Sequence, residues 1–299
     1  MPATRSTATP TQWLQGARPR TLPAAVAPVA AGTGAAFALG AGDPGRSVLA
    51  LVVSLALQVG VNYANDYSDG IRGTDADRVG PLRLVGSGVA TPAAVRAAAL
   101  TAFVVAAVAG VVLVALSGSW WLLLVGAAAV AAAWYYTGGS RPYGYSGLGE
   151  VFVFVFFGLV AVLGTTYTQA GRVSVPAAAA AVSVGLLACA ILVANNLRDV
   201  PTDAVAGKRT LAVRLGAPRT RLLYAALVIA PLALVVPAAV HPDGSSWAWL
   251  ALLTAPLVVG PLRTVTGGAA GASLVPVLGA TGRLELAYAV LLGAGLSAG

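Results

Sequence analysis

Residues 97–140 read AAALTAFVVAAVAGVVLVALSGSWWLLLVGAAAVAAAWYYTGGS and hold no charged side chain. A helix rises 1.5 Å per residue, so about 20 apolar residues cross the hydrocarbon of a bilayer. The stretch is twice that long. It breaks at Ser117-Gly118-Ser119, next to Trp120 and Trp121, which suit a membrane interface. It reads as two membrane helices. Working outward, further uncharged stretches run over 21–42, 47–65, 151–171, 173–197, 222–242 and 244–262. Each is about one span long, and backbone in hydrocarbon must bond within its own segment, so helices are expected. A last span is expected in 264–299: 264–282 is Gly-rich and contains Pro276, so 284–298 is the better helix. The expectation is an all-α membrane protein of about nine transmembrane helices, with a polar tail over 1–17 and one transmembrane domain over 18–299.

Composition excludes the soluble alternatives. Apolar residues make up 58% of the chain and charged ones 9%, against about 25% charged in an average soluble domain. The net charge of +8 would suggest nucleic acid in a soluble protein. Here its placement explains it. With the N-terminus inside, 16 of the 18 basic residues fall on cytoplasmic loops and flanks, and only Arg46 and Arg172 fall outside. That is the positive-inside asymmetry, and it puts the tail in the cytoplasm of a multi-pass plasma-membrane protein with no nucleic-acid partner. The single Cys189 and single His241 exclude an internal disulfide and a Cys- or His-rich metal site.

The acidic residues cluster. Six of ten lie in 66–77 and 199–203, at the cytoplasmic ends of the second and sixth expected helices. The segments repeat: Ala64-Asn65-Asp66-Tyr67-Ser68-Asp69 matches Ala194-Asn195-Asn196-Leu197-Arg198-Asp199, 130 residues later. Asn65 and Asp69 are four apart, as are Asn195, Asp199 and Asp203, so each set shares a helical face. Both copies follow an even number of spans and open toward the same side. Clustered carboxylates and amides repel unless a cation holds them, and hard oxygen ligands without His or Cys suit Mg²⁺, which keeps room for waters and substrate phosphates. Arg72, Arg78 and Arg83 flank the first cluster, and Arg198, Lys208 and Arg209 the second. Guanidinium groups bind phosphate oxygens in pairs. The pattern reads as a metal–diphosphate site. Asp43 and Asp243 read as turn formers. Glu150 opens a helix, where a negative charge is favoured, but it also follows Tyr143-Gly144-Tyr145 on the active side.

These motifs resemble the intramembrane aromatic prenyltransferases, the UbiA superfamily. The resemblance rests on Asn65-Asp66-Tyr67-Ser68-Asp69 with Gly73-Thr74-Asp75, paired with Asn195 to Asp199 and Asp203. Further matches are Arg18-Pro19-Arg20-Thr21, Asp77 to Arg83, Tyr135 to Gly139 with Arg141-Pro142, Gly147-Leu148-Gly149-Glu150, and Gly207-Lys208-Arg209-Thr210. They are similar to the branch acting on 1,4-dihydroxy-2-naphthoate in menaquinone biosynthesis. One departure is Gly73, where many superfamily members carry a third Asp; Asp75 follows two residues later.

The resemblance implies one bundle around a central cavity, open to the bilayer and active on its cytoplasmic face. It implies Mg²⁺ held by Asn65, Asp66, Asp69, Asn195, Asp199 and Asp203, with Asp75 as a further candidate, and Asp69, Asp199 and Asp203 as the catalytic acids. Arg18, Arg141 and Lys208 would clamp the diphosphate of a polyprenyl donor. Tyr63, Tyr67, Tyr136, Tyr143 and Glu150 are candidates for the substrate pocket. Another acceptor, such as 4-hydroxybenzoate or homogentisate, is the alternative within the superfamily. A repeat-built transporter is disfavoured, because such proteins place polar groups at the midplane, whereas 97–134 and 222–240 are uncharged.

Overall fold

The computed structural model describes residues 8–73 and 82–299. Asp75, one of the candidate metal ligands, and Arg78 lie outside the described residues, as does Arg5. Ten helices follow in order: α1 (Pro10–Gly16), α2 (Pro23–Ala38), α3 (Pro44–Arg72), α4 (Pro92–Ser117) and α5 (Leu122–Tyr135). Then come α6 (Gly149–Ala170), α7 (Val175–Val205), α8 (Leu211–Val240), α9 (Ser246–Thr266) and α10 (Gly271–Ser297).

Helix starts follow a shared local rule. Asp43, Thr91 and Ser174 each accept the backbone N–H three residues on, from Arg46 at 3.0 Å, Ala94 at 3.2 Å and Ala177 at 3.3 Å. Each is followed by a proline in the first turn, where a missing N–H costs nothing. At Gly118 the chain leaves α4 with φ 69°, a left-handed cap that separates the two halves of the 97–140 stretch where expected.

Among the described residues seven helices are long and apolar enough to span a membrane, and α1–α2, bent by 49°, forms a further candidate. The fourth expected span is shorter than expected: α5 has only 14 residues, roughly 21 Å at 1.5 Å per residue, against a core of about 30 Å. The last helix also starts earlier than expected. Its regular α-helical part runs over Val275–Ser297, and Pro276 sits in its first turn rather than breaking it.

Packing is driven by small residues, as membrane helices require when lipid is as apolar as leucine. A side chain at Gly34 of α2 would run into the carbonyl of Gly293 in α10. One at Gly158 of α6 would lie 2.7 Å from Gly185 Cα in α7. α7 is the central element, with buried Ala, Val and Leu along most of its length. By contrast, α5 buries only Ala132. Within α6, residues Phe154–Leu163 are wound as a wider π-helix, a distortion that re-aims side chains and is common at functional sites.

Candidate active site

Four amide and carboxylate side chains line one face of α3: Gln58, Asn62, Asn65 and Asp69. Their spacing of four, three and four residues keeps them on a single stripe. On α7 the matching stripe is Asn195, Asp199 and Asp203, and it lines the same cavity. The two helix ends approach closely. Lys208 Nζ lies 3.9 Å from Asp69 Oδ1 and 3.9 Å from Asp203 Oδ1. It reaches that point because the chain turns sharply after α7: Gly207 takes φ 72°, and Lys208 N donates to Asp203 O at 2.8 Å. Tyr145 completes the junction. Its ring lies 4.6 Å beneath the ammonium, its hydroxyl donates to Asp69 Oδ1, and its carbonyl accepts from Arg209 N at 2.8 Å.

Asp69 and Asp199 each have a basic neighbour other than Lys208. Arg83 Nη2 donates to Asp69 Oδ2 at 3.5 Å. Arg198 grips Asp199 through Nε and Nη2, both at 2.6 Å, and also donates to Asn195 Oδ1 at 2.9 Å. Thr137 donates to Asn65 Oδ1 at 2.7 Å and so ties the end of α5 to the first motif. These groups are almost entirely buried: Asp69 is 3% exposed and Asp199 6%. Buried charges persist only when paired or bound to a cation.

Below this polar mouth the cavity extends for about 840 Å³, within the range of about 300–1,000 Å³ typical of ligand pockets. Its upper wall is aromatic. Tyr136 meets Tyr143 edge to face at 5.5 Å, and Tyr143 stacks on Phe152 at 3.9 Å. The Tyr143 hydroxyl donates to Ala132 O at 2.7 Å, and burial raises its pKa, so it stays a neutral ring. Deeper walls are mostly Val, Leu, Ala and Gly, joined by Phe156, Phe157, Trp121 and Tyr167.

Ten of the candidates from sequence line this cavity: Asn65, Asp69, Asn195, Asp199 and Asp203 among the acids and amides, Arg18, Arg83 and Lys208 among the bases, and Tyr136 and Tyr143. Others do not. Asp66 faces the 82–85 segment, where its oxygens accept Leu84 N at 2.7 Å and Val85 N at 3.0 Å. Arg72 is exposed and donates to the carbonyls of Thr137 and Gly139, just beyond the end of α5. Arg141 is exposed and outside the cavity. Arg198 lies behind Asp199. Tyr63 donates to Trp13 O at 2.8 Å, and Tyr67 packs on Trp134. Glu150 sits behind the wall and accepts from Asn196 Nδ2 at 2.9 Å. Reading from sequence missed Gln58 and Asn62 as contributors. Both carried a signal, since amides inside an apolar span are costly and mark pathways.

The model of the UbiA prenyltransferase family matches residues 25–266. The chain belongs to that family. It is 55% identical over 288 residues to the 1,4-dihydroxy-2-naphthoate octaprenyltransferase of Mycobacterium tuberculosis, covering 96% of this chain and 97% of the relative. It is 39% identical to the enzyme of the same name from Escherichia coli, covering 85% and 84%. A UbiA homologue from Archaeoglobus fulgidus, bound to DMAPP and Mg²⁺, shares the fold with a TM-score of 0.64 at 15% identity, over 96% of this chain and 99% of that one. In this UbiA-family chain the repeated acidic motifs are thus the ends of two helices facing one apolar chamber.

Proposed function

We infer that the protein transfers the polyprenyl group of a polyprenyl diphosphate to 1,4-dihydroxy-2-naphthoate, with loss of CO₂ and diphosphate, giving the quinol form of demethylmenaquinone for menaquinone biosynthesis. The observation that carries the chemistry is the meeting of two acidic helix ends around Lys208, directly above an apolar cavity. The acceptor follows from the relatives of 55% and 39% identity.

The donor set fits Mg²⁺. All candidate ligands are carboxylate or amide oxygens, and the two sets face each other. Among the described residues no three His, Cys, Asp or Glu side chains form a closed metal cage. Mg²⁺ does not need one, since phosphate oxygens and waters complete its shell. Asn65 with Asp69, and Asn195 with Asp199 and Asp203, would hold it; Asp66 is left out because its oxygens hold the loop. Bound there, Mg²⁺ would neutralise the diphosphate and make it a better leaving group. Lys208, Arg83 and Arg18 add fixed positive charge where negative charge develops.

As the allylic C–O bond breaks, both electrons pass to the diphosphate. Tyr136, Tyr143 and Phe152 present ring faces to the resulting allylic cation, and the apolar walls below keep water away. The ring carbon bearing the carboxylate attacks. The new C–C bond forms, the bond to the carboxylate breaks, and its electrons return to the ring as CO₂ leaves. No protein base is required at that carbon.

The same reading places nine helices across a bacterial plasma membrane, with α1–α2 as one bent span and α5 as a short one, and with the site facing the cytoplasm. The test is purified protein with octaprenyl diphosphate, Mg²⁺ and a panel of aromatic acceptors, read by mass spectrometry. Prenylated naphthoquinol is expected. Prenylation of 4-hydroxybenzoate or homogentisate in its place would overturn the acceptor.

A further inference from the structure

The cavity does not end at the bilayer midplane. On α3 its lining runs from Asp69 to Ala50, roughly 28 Å at 1.5 Å per residue, which is almost the full hydrocarbon thickness. On the opposite wall it runs from Tyr136 down α5 to Trp121, and along α6 to Tyr167. There Trp121 and Tyr167 meet edge to face, with ring centroids 5.5 Å apart. Trp120, by contrast, is 59% exposed and does not line the cavity. The neighbouring tryptophans are therefore not equivalent interfacial anchors.

The two partners are held differently. The α6 end carrying Tyr167 is fastened to the start of α3: Asp43 N donates to Gln169 Oε1 at 2.9 Å, and Arg46 Nη1 donates to Thr168 O at 2.9 Å. Trp121 begins α5, which buries a single residue, and is itself 54% exposed. One ring is fixed, and the other sits on the least buried span at the edge of the bundle. Five residues further on, Gly126 also lines the cavity, and a side chain there would meet open space.

We propose that the Trp121–Tyr167 pair is the far stop of the isoprenoid channel and decides which donor chain lengths are turned over. The inference rests on the prenyl-transfer reading above. A short donor ends above the pair. A long donor must displace the Trp121 ring to pass its tail into the bilayer, so the pair penalises length and leaves the reacting end untouched.

The experiment compares kcat/KM for octaprenyl and geranyl diphosphates in one nanodisc preparation. Trp121→Ala and Tyr167→Ala each raise the octaprenyl-to-geranyl ratio by about tenfold, the scale on which pocket shape discriminates substrates. Trp121→Phe leaves the ratio near that of the parent protein. Gly126→Leu, which fills the channel above the pair and is helix-favouring, lowers the ratio. Trp120→Ala leaves it unchanged. An unchanged ratio in both alanine variants overturns the proposal, as does an equal loss with both donors, which would mean a purely structural pair. A shift in Trp120→Ala as large as in Trp121→Ala overturns it as well. Failure of the parent protein to turn over either donor would instead sink the prenyl-transfer reading.

Discussion

Asp66 and Asp69 sit three residues apart on α3 and meet different neighbours. Asp69 points into the cavity toward Lys208, Arg83 and Tyr145, while Asp66 accepts two backbone N–H groups of the 82–85 segment. Asp69→Asn should therefore abolish turnover with little change in thermal stability. Asp66→Asn replaces one acceptor oxygen by a donor facing a buried N–H. It should cost about 1–3 kcal/mol of stability and lower the melting temperature, with activity falling only as the fold loosens. Thermal melts and kcat on the same two variants check this, and equal melting temperatures would refute the split. Lys208 makes the complementary case. It bridges both acidic sets, so Lys208→Ala should lower kcat/KM for the donor by roughly 2–4 kcal/mol, the range for losing a buried charged partner. Lys208→Arg should recover part of it, because a planar fork replaces a point charge. Arg219, exposed on the same loop-to-helix segment, should tolerate alanine. Donor kinetics for the three variants decide whether Lys208 is a specific clamp or part of a diffuse basic surface.

At the scale of elements, composition and periodicity made most of the bundle legible. The break at Gly118 and the capped starts at Asp43, Thr91 and Ser174 are local signals, and the helices begin and end there. What was not legible depends on neighbours. The shortness of α5 follows from how the chain leaves Trp121 and Tyr136, not from hydrophobicity, since 120–140 is uncharged throughout. Asp66 belongs to the same motif as Asp69, and only the position of the 82–85 segment reveals that it is a loop anchor. The last helix was underestimated because Gly and Pro were read as breakers, whereas Pro276 occupies a first turn and Gly293 serves as a contact. That contact gives a test. Gly34→Val should force α2 and α10 apart and destabilise the protein by at least ~1–3 kcal/mol. Gly260→Ala, at an exposed position with open space around it, should stabilise α9 by roughly 0.5–1 kcal/mol. A melting temperature that fell equally in both would mean that glycine content, rather than close approach, governs the bundle.

For the whole molecule, the proposed chemistry needs two half-sites meeting at one membrane face, and two measurements address that. The first is the metal. Oxygen ligands shared between α3 and α7 suit a hard cation, so EDTA should abolish activity, and Mg²⁺ or Mn²⁺ should restore it. Full turnover after chelation would remove the metal from the reading. The second is orientation. The sequence expectation puts the basic residues on the face that carries Asp69 and Asp199, and the positive-inside rule is the ground for proposing that this face is cytoplasmic. Cys189 is the only cysteine and is buried, so the parent protein should give little background with a membrane-impermeant maleimide. Ser140 is exposed beside the acidic face, just beyond α5, and Ser246 is exposed at the start of α9 on the opposite side. Ser246→Cys should label in intact cells. Ser140→Cys should label only in inverted vesicles, where the polyprenyl donor and the naphthoate would also have access from the medium. Labelling of Ser140→Cys in intact cells would invert the bundle, and the positive charge would then need another cause, because a site opening outward would draw on neither a soluble acceptor nor a diphosphate donor from the cytoplasm.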